Sequence, residues 1–218
     1  MASFGAIILA GGKAARLGGA DKPGLVVGGR SLLAWAVAAA VDAGAAPVVI
    51  VGPSQAGLDG PARFVREEPP GGGPVPALRR GLAELDTEWV AVLAADLPFL
   101  RASQLRTLLT AAAAPGGAVL VDEDGRPQWL IGCWRTGALR RAADGYAGMS
   151  LGGLLGPLAP ARVAVRAAGP APWADCDTEE DLRLARQAVA APGTTTLRSG
   201  SPAANRRIWS AANRAASG

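Results

Sequence analysis

Residues 6–22 read AIILAGGKAARLGGADK, an apolar run followed directly by a segment rich in glycine and positive charge. The apolar run predicts a buried strand of a parallel sheet. Gly11 and Gly12 allow a tight turn that presents backbone N–H groups to an anion, and Arg16 and Lys22 neutralise phosphate charge. Because ligands of open α/β sheets bind at the carboxyl ends of the strands, this stretch predicts a nucleoside triphosphate site.

The glycine-rich segment departs from two familiar phosphate-binding motifs. Lys22 is followed by Pro23, where a Walker A loop has Ser or Thr, and the segment has no G-x-G-x-x-G dinucleotide fingerprint. A plain alternative is a strand-to-helix connection in which the glycines serve only for turning. That alternative leaves unexplained why both lysines of the chain, Lys13 and Lys22, fall in this segment together with Arg16.

Strands and helices are predicted to alternate along the chain, which indicates an α/β fold with a Rossmann-like, mostly parallel sheet and helices on both faces. Ser31 is the expected N-cap of a helix that stops at Gly44, and Thr178 favours the start of the last helix. Two strands around the turn at 122–127 predict a hairpin-like excursion. The remaining strands are expected at 6–10, 47–52, 62–65, 89–96 and 162–168, and the remaining helices in the second half of 67–85 and at 103–113.

Acidic residues at three places are candidate site residues. Asp96 ends an apolar strand, where a carboxylate is well placed to hold Mg²⁺ against phosphates, although it is equally suited to cap a turn. A loop of Pro and Gly at 69–74 follows Glu68 and either lies against a flat base or forms a surface turn. Asp175 and Asp177 either face the site, where Asp177 is a possible second metal ligand, or cap the last helix.

Composition excludes several classes of mechanism. The 218-residue chain has no histidine, which excludes Ser-His-Asp and Cys-His hydrolysis and the HExxH metalloproteases. Cys133 and Cys176 are too few for a disulfide scaffold and lack zinc spacing, so two reduced thiols are expected. Catalysis must therefore rest on carboxylates, lysine, arginine, backbone amides or a metal held by oxygen.

The positive charge of the chain is concentrated at its end. Of the 22 basic residues, four arginines lie after residue 191, which leaves 18 to balance the 18 acidic residues before it. We therefore expect a domain at 1–191 without a basic face for nucleic acid, followed by a flexible basic tail at 192–218. No apolar run suits a membrane span or an export signal, so a cytoplasmic location without membrane contact is expected.

The segment LAGGKAARLGGADK resembles the signature L-A-G-G-x-x-x-R-x-G-G-x-D-K of molybdenum cofactor guanylyltransferases, which are Rossmann-like nucleotidyltransferases. The Pro-Gly loop at 69–74, the sequence Asp96-Leu97-Pro98 and a D-T-x-E-D-L motif at 177–182 follow in the same order. The resemblance extends over about residues 5–188. It implies a fold of the nucleotidyltransferase type.

The resemblance also implies a reaction and its participants. The terminal phosphate of molybdopterin attacks the α-phosphate of GTP with Mg²⁺ bound, and pyrophosphate leaves. The implied partners are GTP, molybdopterin or the molybdenum cofactor, and other proteins of the cofactor's biosynthesis. Arg16, Lys22 and Asp96 are the implied catalytic residues, with Asp96 as the metal ligand. The implied nucleotide-binding residues are Leu9, Ala10, Gly11, Gly12, Lys22, Glu68 and Asp96.

Several positions depart from the family pattern and leave alternatives open. Asn is common after the second strand, where this chain has Val51-Gly52-Pro53, and Glu68 stands where Asp is usual. Asp175 and Asp177 replace an Asn-x-Asn pair, and Gln128 lies near the place of a missing His-Pro. The alternatives are a cytidylyl, phospholactate guanylyl or sugar-phosphate transferase, or a nucleotide-binding module without catalysis.

Overall fold

The fold is described by a computed structural model. The described residues are 3–11, 22–55, 58, 61–112, 116–166 and 169–190. Predictions for Gly12, Lys13, Arg16 and the tail at 192–218 lie outside these residues. Among the described residues, no helix combines the length and apolar character needed to cross a membrane.

The strands and helices alternate as the sequence predicts. The strands are β1 (Phe4–Leu9), β2 (Val26–Val27), β3 (Arg30–Ser31), β4 (Val48–Val51), β5 (Ala62–Val65), β6 (Trp89–Ala94), β7 (Ala118–Val121), β8 (Pro127–Arg135) and β9 (Ala161–Ala164). The helices are α1 (Leu32–Ala43), α2 (Pro74–Leu82), α3 (Ala102–Ala111), α4 (Thr136–Gly145), α5 (Leu151–Leu155) and α6 (Glu179–Ala190), with short 3₁₀ turns at Lys22–Gly24 and Gly156–Leu158.

A mostly parallel sheet forms the centre of the molecule. The described residues give it seven strands in the order β5-β4-β1-β6-β8-β7-β9. Strands β5, β4, β1 and β6 run parallel, and β9 runs parallel to β7. Only β8 pairs antiparallel with its neighbours β6 and β7 within this described sheet. The predicted Rossmann-like fold is confirmed.

Helices cover both faces of the sheet because the side chains of β1 alternate between two cores. Ala6 and Ile8 pack with α1 and α3 on one face. Ile7 and Leu9 pack with α2, α4 and α5 on the other face. All four side chains are buried, which explains why the strand is apolar without interruption.

The caps of α1 follow the sequence prediction. The Ser31 hydroxyl accepts a hydrogen bond from the Ala34 amide at 3.1 Å, as expected of an N-cap serine. Gly44 ends the helix with a φ of 98°, a left-handed conformation that glycine adopts without strain. The predicted limits of this helix are confirmed.

The predicted hairpin-like excursion is wrong in one respect. β7 and β8 do form an antiparallel hairpin, but β8 lies inside the main sheet between β6 and β7. Ile131 pairs with Leu93 of β6, and Trp134 is fully buried against the sheet. Burial of these large apolar side chains is favourable, and a hairpin that left the sheet would expose them to water.

Other predicted limits differ by a few residues, and two helices were not predicted. β1 begins two residues before the predicted 6–10, because Phe4 pairs with Trp89 on β6. β9 ends at Ala164 and does not extend over 162–168. α4 follows β8 without a Gly or Pro break at Arg135-Thr136, so the sequence gives no sign that a helix begins there. α5 begins after Ser150, an N-cap residue that the prediction missed.

Candidate active site

The end of β1 is held on both sides by the neighbouring strands. The Ala10 amide donates to the Val51 carbonyl at 2.8 Å, and the Ala95 amide donates to the Leu9 carbonyl at 3.1 Å. On the β4 side, a Cβ atom at Gly52 would lie 2.8 Å from the Ala10 carbonyl carbon. The backbone at the predicted nucleotide contacts is therefore fixed by the sheet before any ligand binds.

Lys22 connects two acidic residues at the same edge of the sheet. It lies at the start of the first 3₁₀ turn, whereas Asp96 follows β6 and Asp177 precedes α6. The Lys22 ammonium donates a hydrogen bond to Asp96 Oδ2 and another to Asp177 Oδ1, the latter at 2.5 Å. The Lys22 and Asp96 side chains are 16% and 19% exposed, which makes this a partly desolvated cluster.

Asp96 and Asp177 stabilise the charged form of Lys22. Burial acts to lower the pKa of Lys22, but the attraction of Asp96 and Asp177 outweighs it, so the pKa lies above its ordinary value. Lys22 is therefore a stable ammonium at neutral pH. Such a group can bind either carboxylates or the phosphates of a substrate.

Three carboxylates meet beside Lys22 and have the composition of a magnesium site. Asp96, Asp175 and Asp177 each offer an oxygen, and these atoms lie within 4.8 Å of one another. Although Asp175 is exposed, loss of part of its surrounding water raises its pKa to about 6, and the charges of Asp177 and Asp96 act in the same direction. Oxygen ligands and concentrated negative charge both suit a divalent cation.

The N-terminus of α6 is capped by other residues. The Thr178 hydroxyl accepts a hydrogen bond from the Asp181 amide at 3.1 Å, and the Asp181 carboxylate accepts one from the Thr178 amide at 2.8 Å. This reciprocal pair is a capping box. Asp175 and Asp177 therefore do not form this cap, and their place in the site stays a prediction.

The chain was compared with models of known protein families. The MobA-like NTP transferase domain matches residues 6–173, which is most of the chain. The chain belongs to this family. The matched residues include most of β1, the glycine-rich segment and Asp96, and they end just before Asp175.

Curated relatives agree with the family model. A "Probable molybdenum cofactor guanylyltransferase" from Mycolicibacterium paratuberculosis is 33% identical over 140 residues, which are 62% of this chain and 71% of the relative. A protein of the same description from Mycobacterium bovis is 34% identical over 135 residues, 60% of this chain and 67% of that protein.

A solved structure supports the fold of this MobA-like domain. A nucleotidyl transferase from Methanothermobacter superposes with a TM-score of 0.72 at 18% identity, covering 86% of this chain and 97% of that one. Together with the family match, this places the chain among the Rossmann-like nucleotidyltransferases.

In this MobA-like domain, the two adjacent glutamates before the Pro-Gly loop have different surroundings. The Glu68 side chain is exposed, whereas Glu67 is only 7% exposed. Glu67 Oε1 accepts a hydrogen bond from the Gly71 amide at 2.9 Å. The sequence did not identify Glu67, because the regular alternation of exposed and buried residues stops at the end of β5.

Proposed function

We propose that the chain transfers GMP from GTP to molybdopterin in a reaction that requires Mg²⁺ and releases pyrophosphate. The observation that carries this proposal is Lys22 in contact with Asp96 and Asp177 at the carboxyl edge of the sheet. The choice of guanine and of molybdopterin rests on the descriptions of the relatives that share 33–34% identity with the chain.

Lys22 and Arg16 serve as the phosphate-binding cations. A bound triphosphate offers Lys22 an anion in place of its present carboxylate partners, and a charge-assisted hydrogen bond to phosphate is strong. The backbone at Leu9 and Ala10, held by hydrogen bonds to β4 and to the residue after β6, positions the nucleotide. Gly11 and Gly12 are proposed to add further nucleotide contacts. Preorganised groups of this kind lower the barrier because they need no rearrangement during the reaction.

Asp96, Asp177 and Asp175 would hold Mg²⁺, and the proximity of their oxygens fits a single small cation. The ion, when bound, neutralises the phosphate charge that develops as pyrophosphate departs. Lys22 contacts two of the same carboxylates, so the cation for the phosphates and the ligands for the metal are held side by side.

The chemical step needs alignment more than a base. A phosphate oxygen of molybdopterin forms a bond to the α-phosphorus of GTP, and the bond from that phosphorus to the bridging oxygen of the β-phosphate breaks. The attacking phosphate is already an anion, so no proton has to be removed from it. A chain without histidine is suited to such a reaction, in which positioning and charge neutralisation supply the catalysis.

Residues 1–191 are proposed to contain the whole transferase. The described elements end with α6 at Ala190, and residues 192–218 show no regular pattern of apolar positions. A chain truncated after residue 191 is expected to keep its turnover and melting temperature. A large loss of either would assign the tail a place in the folded domain.

Pyrophosphate release by the purified full chain tests the proposed reaction. We expect release only when GTP, Mg²⁺ and molybdopterin are all present, and we expect EDTA to abolish it. Parallel assays replace GTP by CTP, ATP or UTP at the same concentration. Release from GTP without molybdopterin, or faster release with another nucleotide, would contradict the proposal.

A further inference from the structure

Three segments beside the candidate active site contribute arginines and no acidic residue to one surface. They are the β2–β3 hairpin with most of α1, at 25–41, the segment at 97–111 that includes α3, and the part of α6 at 182–190. α1 packs against α3, and α6 lies against the hairpin, where a Cβ atom on Gly28 would clash with Val189. The domain before the tail has equal numbers of basic and acidic residues, so this surplus of positive charge is local.

Trp35 joins two of these arginines to the hairpin. Its indole Nε1 donates a hydrogen bond to the Val27 carbonyl at 2.9 Å, which fixes the ring at the start of α1. The guanidinium carbons of Arg30 and Arg101 lie 5.2 Å and 5.5 Å from the centre of the ring. The electron-rich face of an aromatic ring attracts a cation but does not neutralise it, so both positive charges remain at the surface.

Three arginines of this surface have no carboxylate partner among the described residues. Arg30 is exposed and forms no ion pair there. Arg101 is half-buried and donates to two backbone carbonyl groups just before it in the chain, and Arg186 is exposed and donates to the Val26 carbonyl at 3.0 Å. Loss of surrounding water lowers the pKa of Arg101, as expected of a cation that gains no anion in return. An approaching carboxylate therefore has no existing carboxylate to displace.

An apolar side chain lies among these charges. Val26 is 49% exposed, and within the described part of the chain only Met149 is another large apolar side chain with high exposure. Arg186 contacts the backbone of Val26 itself, and Arg30 is on the paired strand of the same hairpin. An apolar centre with a polar border that is rich in arginine is the composition of a protein–protein interface.

The same features favour an acidic protein segment over a nucleic acid as the occupant. A single strand needs an open aromatic face on which its bases stack, whereas the Trp35 ring is half-buried and already faces two guanidinium groups. A duplex needs cations that follow its phosphates, and phosphates offer nothing to Val26. The carboxylates of a peptide can form paired hydrogen bonds with arginine, and a neighbouring apolar side chain can cover Val26.

We propose that the arginine surface, formed by Val26, Arg30, Trp35, Arg101 and Arg186, docks an acidic segment of another protein with an apolar side chain of that segment against Val26. Each of its three segments follows a residue of the candidate active site in the chain, namely Lys22, Asp96 and Asp177. The docked protein therefore lies beside that site, where it is placed to deliver a substrate or to take up a product.

Binding of a fluorescent peptide to the full chain, followed by anisotropy at low ionic strength, tests this surface. The probe is a synthetic peptide with several glutamates around one leucine. We expect it to bind the wild-type chain with an affinity that falls as salt is added. Replacing Arg30 and Arg186 together by alanine is expected to weaken binding about tenfold, the combined effect of losing two exposed ion pairs. The melting temperature should not change, because both side chains are exposed.

The tail supplies a matched control, because its arginines could bind the same peptide. Replacing Arg206 and Arg207 together by alanine removes the same charge from the tail. This variant is expected to keep the wild-type affinity. A loss of affinity in the tail variant but not in the variant of Arg30 and Arg186 would overturn the inference, because the tail would then be the binding site.

Val26→Ala separates docking from simple attraction of charge. It is expected to weaken binding of the leucine peptide about threefold, since part of an apolar contact is lost. A second peptide with serine in place of leucine should bind the wild type and Val26→Ala equally. Equal binding of the leucine peptide by both proteins would overturn the apolar contact at Val26 and with it the docking of a protein segment.

Two further results would overturn the inference. The first is no binding of the leucine peptide to the wild-type chain at low ionic strength. The second is tighter binding of heparin or of a single-stranded oligonucleotide that depends on Arg30 and Arg186, because a polyanion without apolar side chains would then be the better occupant. These measurements use neither a nucleoside triphosphate nor molybdopterin, so the inference and the proposed function fail independently.

Discussion

Lys22 and Asp96 form an ion pair although 74 positions separate them in the sequence. The pair joins the end of the glycine-rich segment to the end of β6, two places where the parallel sheet presents its carboxyl edge. Lys22 also contacts Asp177. A single ammonium thus holds together the residues for which the sequence predicted phosphate and metal binding.

Lys22→Ala is expected to lower turnover about a hundredfold or more, the scale of removing one preorganised charge-stabilising group. The variant also leaves Asp96, Asp175 and Asp177 without their cation, so a melting curve should accompany the rate measurement. Arg183→Ala is a matched control, because Arg183 is an exposed cation paired with Glu180 on α6. Equal turnover of Lys22→Ala and wild type would remove Lys22 from the site.

Asp96→Asn is expected to raise the Mg²⁺ concentration for half-maximal turnover on the order of tenfold, because the negative charge of the ligands sets divalent cation affinity. Asp177→Asn should shift it less, since Asp177 is more exposed, at 51% against 19% for Asp96. A Mg²⁺ titration of turnover for both variants measures the two shifts. An unaltered titration of Asp96→Asn would show that Asp96 does not bind the metal.

Gly52→Ala is expected to destabilise the protein and to weaken nucleotide binding. Its Cβ atom would stand 2.8 Å from the Ala10 carbonyl carbon, and this backbone atom cannot move aside freely. Such overpacking typically costs about 1–3 kcal/mol, and for a chain of this size each kcal/mol lowers the melting temperature by about 2–4 °C.

Gly145→Ala is the control for this substitution, because nothing lies within 4 Å of the added atom at the end of α4. Its melting temperature should equal or exceed that of the wild type. If Gly52→Ala kept wild-type stability and nucleotide affinity, the backbone position of Ala10 would not depend on its close approach to Gly52.

The two cysteines are expected to resist thiol reagents in the native protein. Cys133 and Cys176 are fully buried, and burial raises the pKa of both thiols, that of Cys176 to about 12. Because the thiolate is the reactive form, neither should react with Ellman's reagent within minutes at pH 8. Both should react in guanidinium chloride. Rapid reaction of one thiol without denaturant would contradict the described packing around Cys176 or Cys133.

Much of the site follows from residue types and strand order. Lys22 and Asp96 were identified from the sequence because each follows an element that ends at the same edge of a parallel sheet. Their direct pairing was not predicted, since the sequence does not give the distance between Lys22 and the end of β6. The capping box of Thr178 and Asp181 shows that Asp177 does not cap α6, a question that its position in the sequence left open.

The remaining features depend on packing that local patterns do not record. The position of β8 inside the sheet buries Trp134 completely. A two-residue alternation in the sequence does not tell which neighbouring strands β8 pairs with. Glu67 and Glu68 are chemically identical in the sequence. In the structure the Glu67 side chain is buried and accepts a hydrogen bond from the Gly71 amide, whereas the Glu68 side chain is exposed.

The central claim is tested most directly by a competition in one vessel. The full chain is incubated with molybdopterin, Mg²⁺ and equal concentrations of GTP, CTP, ATP and UTP, and the products are identified by mass. The proposed function predicts that the guanine dinucleotide of molybdopterin is the main product and that Lys22→Ala forms little of it. A cytosine or other dinucleotide as the main product, or no dinucleotide at all, would contradict guanylyl transfer to molybdopterin.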